Sequence, residues 1–86
     1  MTRTGGYCVD ENGHDQELGA APIGYNALSE NSCLEECQRI KKDEFYGVTG
    51  CEHNLITRTC VYHTRPVTHG NNDYGFTCWL FHEAGK

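Results

Sequence analysis

Cysteine and histidine are the residues with which this chain could do chemistry, and their spacing narrows which chemistry. In 86 residues the six cysteines run Cys8, Cys33-x-x-x-Cys37, Cys51, Cys60 and Cys78, with five histidines besides. Thiolate and imidazole are zinc-ligand types, and Cys33, Cys37, Cys51, His53, Cys60 and His63 supply several of them. The spacings are not the short paired knuckles of most structural zinc sites. His53 and His63 also fall on opposite sides of the hairpin expected around them. An even cysteine count, with the outermost pair close to the two ends, reads instead as a disulfide framework, for which six cysteines allow about fifteen connectivities. Disulfides persist in oxidising compartments, so the chain is expected outside the cell or in a lumen facing it. No metal or other cofactor is expected.

Other groups are weaker candidates. Asp10-x-Asn12-Gly13-x-Asp15 has oxygen ligands but lacks the spacing and the closing bidentate Glu of a calcium loop, so it reads as a turn. Asn71-Asn72-Asp73 reads the same way. Ser29 and Ser32 are better explained as helix caps than as nucleophiles. With every thiol committed, nothing pairs a nucleophile with a base, so the chain is not expected to be an enzyme. Asn31-Ser32-Cys33 is only the rare Cys variant of a glycosylation acceptor. Binding remains. Arg65, Tyr74, His63, His69 and Asp73, with Tyr25, lie in or beside expected loops, where they could stack on a sugar or fill a protein hot spot. Arg65 suits a carboxylate or sulfate and Tyr74 a sugar ring. The favoured face lies near Arg65 and Tyr74, with Leu55 and Ile56 opposite.

Composition sets the limits. Only 37% of residues are apolar, yet 10% are aromatic, which suits one small domain with a modest core. Twelve Asp and Glu against seven Lys and Arg give a formal charge of −5, which argues against a nucleic-acid partner. Protonating the five histidines would bring that charge near zero, so association is expected to strengthen at mildly acid pH. No apolar run is long enough for a membrane span, and Met1–Gly6 has no apolar core of a signal peptide. The chain is therefore expected to be a mature domain, 1–86 with its core at about 5–81, from a larger secreted protein.

The elements that must position these groups follow from pattern. Gly6–Asp10 reads as a first strand, 10–15 as a turn with Asn12-Gly13 at the positive-φ position, and 16–28 as loop. Ser29 or Ser32 can cap a helix reaching about Lys41, and Ser32-Cys33-Leu34-Glu35 fits a capping box. Cys33, Cys37 and Ile40 fall on one stripe of that helix. The period then changes to two: Val48–Asn54 and Thr59–Thr64 read as a hairpin joined around 55–58. Alternation puts Cys51, His53, Cys60 and Tyr62 on one side, Val61 and His63 on the other. Residues 69–73 read as an exposed turn, and Phe76–Phe81 as a central strand with Trp79 in the core.

These pieces resemble a PAN/apple domain: Ser29 through Cys37, Gly50-Cys51-Glu52-His53, Thr59-Cys60-Val61-Tyr62 and Cys78-Trp79, in that order. The resemblance covers about Gly5 to Phe81. It implies an α+β, disulfide-rich fold with one helix packed on an antiparallel sheet, and the pairing Cys8–Cys78, Cys33–Cys60 and Cys37–Cys51. It also implies an extracellular, non-catalytic adhesion module that binds protein or carbohydrate. The long Cys8–Cys33 segment and the histidine-rich hairpin depart from the family pattern. Two alternatives stay open: a structural building block of a matrix, wall or filament, and a secreted inhibitor or toxin-like effector, for which Thr64-Arg65-Pro66-Val67 is the candidate rigid loop.

Overall fold

The computed structural model describes residues 1–14, 20–23 and 28–81. They form strands β1 (Thr2–Gly5), β2 (Cys8–Val9) and β3 (Ala20–Pro22), helix α1 (Glu30–Lys41), a 3-10 turn (Glu44–Tyr46), and strands β4 (Gly50–Asn54), β5 (Cys60–His63), β6 (His69–Gly70) and β7 (Phe76–Leu80). Antiparallel pairing orders the main sheet β1-β7-β4-β5-β3, while β2 and β6 form a separate two-stranded ribbon. The fold is α+β and disulfide-rich, with α1 on one face of the sheet and the ribbon on the other.

Helix α1 starts at Ser29, whose Oγ accepts the Ser32 N–H at 3.1 Å. Ser32 therefore lies inside the first turn, correcting the capping box that would have begun there. The Ser29 hydroxyl is the one positioned to take an otherwise orphaned N–H. Glu30 sits in the first turn, with Arg39 and Lys41 in the last, as the helix dipole favours. Cys33 and Cys37 are fully buried, with Ile40 and Leu34 packed beside them.

The hairpin pairs Cys51 with Tyr62 and His53 with Cys60, so these four share the helix side. Its turn is tied by Asn54, whose side-chain oxygen accepts the Ile56 and Thr57 N–H groups and whose carbonyl accepts that of Arg58. Strand β7 runs between β1 and β4. It sends Trp79 to the helix side, against Cys51, Cys33, Cys37, Cys60, Val48 and Ile23. Cys78 and Leu80 point to the other side, where they meet Cys8 and Val67. The three disulfides are Cys8–Cys78, Cys33–Cys60 and Cys37–Cys51, the pairs the resemblance implies, with Cα separations of 5.2, 5.6 and 6.3 Å. Each half-cystine is buried, so sulfur provides much of the core.

Three short strands depart from the reading by pattern. The N-terminus makes two strands, broken at Gly6–Tyr7, where Gly6 takes φ +98°. Ala20–Pro22, expected as loop, is an edge strand on β5, a place where proline's missing N–H is tolerated. His69–Gly70, expected in an exposed turn, is the ribbon partner of Cys8–Val9. A side chain on Gly70 would run into the Gly5 carbonyl and the Thr4 hydroxyl, so its glycine serves close backbone approach.

Candidate functional site

The start of β7 and the β4–β5 turn lie at the same end of the sheet, because Phe76 pairs with Asn54. Leu55 N–H donates to the Gly75 carbonyl at 2.8 Å, joining the two loops. Asp73 Oδ1 accepts the Gly75 N–H at 2.9 Å, and Asn71 Oδ1 accepts those of Tyr7 and Asp73, each at 3.0 Å. Phe76 meets Tyr7 edge to face, with ring centres 5.4 Å apart. On this pinned backbone Tyr74 is 98% exposed, beside Ile56 at 82% and Leu55 at 43%. A groove of about 360 Å³ runs there between Arg3, Leu55, Asp73, Tyr74, Phe76 and Thr77.

Arg3 fixes one wall of the groove. Its guanidinium bonds Glu30 at 2.6 Å, linking β1 to the start of α1. That hydrogen bond, helped by another from Thr77, holds the Glu30 carboxyl below the usual glutamate range despite partial burial.

The site residues expected from sequence do not come together. Arg65 is exposed at the far end of the sheet, two residues past β5, where its carbonyl accepts the Thr49 hydroxyl at 2.6 Å. Gly50 pairs there with both His63 and Leu80, so the length of β7 separates Arg65 from Tyr74. His69 is exposed on the ribbon, with Nδ1 2.9 Å from the Thr68 hydroxyl. His63 is not a surface group: it is 1% exposed, with Nε2 3.3 Å from Glu52 Oε1. Only Asp73 and Tyr74 share a groove, and they share it with Leu55, which was expected on the opposite face. Tyr25 lies outside the described residues.

No family model matches this chain, and no significant match is found to a curated protein or to a solved structure. The geometry therefore carries the functional reading. At the helix and hairpin, Cys33, Cys37, Cys51 and Cys60 are in disulfides, and His53 and His63 occupy opposite faces. Asp10 uses Oδ1 to accept the Asn12 and His14 N–H groups, each at 2.9 Å. The His14 bond in particular holds its carboxyl low, as an acidic turn residue rather than an assembled calcium ligand. Asp15 lies outside the described residues. No helix among the described residues is long and apolar enough to cross a membrane.

Sequence reasoning missed Leu55, Ile56, Arg3 and Phe76. A signal for the first two was present, since two adjacent large aliphatics in a tight hairpin turn do not serve turn chemistry. Phe45, 89% exposed in the 3-10 turn, makes a separate aromatic patch with Tyr46 and Tyr62.

Proposed function

We propose that this chain is a PAN/apple-like extracellular recognition module, binding a protein or glycan without catalysis through the end of the sheet that carries Tyr74. The observation that carries this reading is the near-complete exposure of Tyr74 and Ile56 on loops whose backbone is held by hydrogen bonds in which Asn54, Leu55, Asn71, Asp73 and Gly75 take part. Large rigid side chains presented this way lose little freedom on binding. Tyrosine and isoleucine exposed at the same end of the sheet offer stacking and apolar contact, with Arg3 and Asp73 as polar groups of the groove. The disulfide frame supports an oxidising, extracellular setting.

The test is to screen the oxidised chain against a glycan array and a panel of secreted and cell-surface ectodomains, then repeat every hit with a Tyr74→Ala, Ile56→Ala double variant. Loss of binding with an unchanged melting temperature is the expected result. Binding that survives the double change, or is lost only with Arg65→Ala at the far end, would sink the assignment.

A further inference from the structure

The groove that Tyr74 lines carries one charge without a counterpart. Among its lining residues Asp73 supplies the only carboxylate and Arg3 the only cation. Arg3 is already matched, since its guanidinium bonds Glu30 Oε1 through Nε at 3.0 Å and through Nη2 at 2.6 Å. Asp73 lacks such a match. Its Oδ1 accepts the Gly75 N–H at 2.9 Å, and no hydrogen bond or ion pair reaches Oδ2 among the described residues. Arg58, at the end of the neighbouring hairpin turn, does not line the groove.

Apolar surface lies next to this carboxylate. Gly75 has no side chain, and the place a Cβ would take there is 3.4 Å from Asp73 Oδ1 and 3.8 Å from Ile56 Cδ1. The carboxylate and the aliphatic end therefore border the same spot, with Leu55 and Phe76 in the groove wall and Tyr74 exposed. We propose, building on the Tyr74 reading, that this groove takes a lysine or arginine side chain presented by a partner protein. Protein is thereby favoured over glycan as the ligand of this end of the sheet.

A cationic side chain satisfies each part of the groove. Its ammonium or guanidinium donates to Asp73 Oδ2, giving that oxygen a charge-assisted bond. Its methylene stem packs on Ile56 and Leu55, as long basic side chains do on apolar surface. The Tyr74 ring adds a cation–π contact. Whole-chain charge works in the same direction, because at −5 the molecule draws cations and repels anions. Sulfated and carboxylated glycans meet both that field and Asp73, and a neutral sugar leaves the carboxylate without a counter-charge.

The test uses the oxidised full chain and one short peptide in several forms, identical but for a central Lys, Arg, citrulline, norleucine or Glu. In an amide NMR titration the Lys and Arg forms should shift Leu55, Ile56, Asp73, Tyr74 and Gly75. They should bind about fivefold or more tighter than the citrulline and norleucine forms. Added salt should weaken only the cationic forms. Asp73→Asn keeps an Oδ1 acceptor for the Gly75 N–H and removes the charge, so the preference should fall to about twofold or less. Tyr74→Ala should weaken the cationic forms by about twofold to fivefold. No shift at this end with either cationic form, equal binding of the neutral forms, or a preference that survives Asp73→Asn would each overturn the cation site. Array or ectodomain hits that need Tyr74 and Ile56 but are indifferent to Asp73→Asn would also overturn it, while leaving the recognition surface standing. Hits that survive the Tyr74→Ala, Ile56→Ala double variant would remove both.

Discussion

Tyr74 and Gly70 lie four residues apart, yet substitution should affect them in opposite ways. Tyr74 contacts mostly water, so Tyr74→Ala is expected to move stability by no more than about 0.5 kcal/mol in chemical denaturation. Gly70→Ala would push a methyl group into the Gly5 carbonyl and the Thr4 hydroxyl. Backbone cannot yield as a flexible side chain does, and a loss of about 1–3 kcal/mol is expected by the same measurement. Glu30 provides a pH-dependent case. Its folded pKa lies below the ordinary value of 4.5, so its contribution is present above that value and is lost as pH falls through the depressed one. Removing the guanidinium with Arg3→Ala should raise the Glu30 pKa in an NMR titration and flatten that part of the acid limb of stability. The change should be small at neutral pH, because the Arg3 side chain is largely exposed.

Individual elements show what could be read in advance and what could not. The helix was legible because 12 residues carry a cap, a charge gradient and a cysteine stripe that agree. The hairpin was legible through alternation over four or five residues, and the last strand as a short run apolar on both faces, which marks a central strand. Strands β3 and β6 have only two or three residues, too few for a period to register, and β1 lies just ahead of the Gly6–Asp10 stretch that reads as the first strand. Gly70 and Asn71 also carry turn composition while serving other ends: one allows close approach of backbone, and the other bonds Tyr7 across the ribbon. The candidate site suffered for a related reason. Residue types marked Tyr74 and Asp73 correctly as exposed loop groups, but strand order alone decides that Arg65 sits at the other end and that Leu55 is a neighbour. His63 has the sequence of a surface histidine and the position of an interior one, because alternation turns it toward the ribbon. At this scale the sharpest check is the cap: Ser29→Ala should cost about 1 kcal/mol. Ser32→Ala should cost less, since it keeps the N–H that Ser29 receives.

For the whole molecule the question is which cross-link matters most. The disulfides are nested, with sequence separations of 70, 27 and 14. Restriction of the unfolded chain is worth about 4.4 kcal/mol for the outermost taken alone and roughly 3 for the innermost, and nesting lowers the outer figure because the inner bridges already shorten its loop. Entropy alone therefore separates the two only slightly. Packing widens the gap, because Cys8–Cys78 is the covalent tie between the β2–β6 ribbon and the sheet, and its buried partners there are few. Cys37–Cys51 instead lies in the larger cluster around Trp79, where Cys33–Cys60 duplicates the attachment of helix to hairpin. Cys8→Ala with Cys78→Ala is accordingly expected to lower the denaturation midpoint more than Cys37→Ala with Cys51→Ala. In the first variant, hydrogen exchange should quicken first at the ribbon amides of Cys8, Thr68 and Asn71, while the helix amides stay protected until global unfolding. Uniform loss of protection across ribbon and helix would mean that the ribbon is not a separable layer and that the molecule opens as one unit.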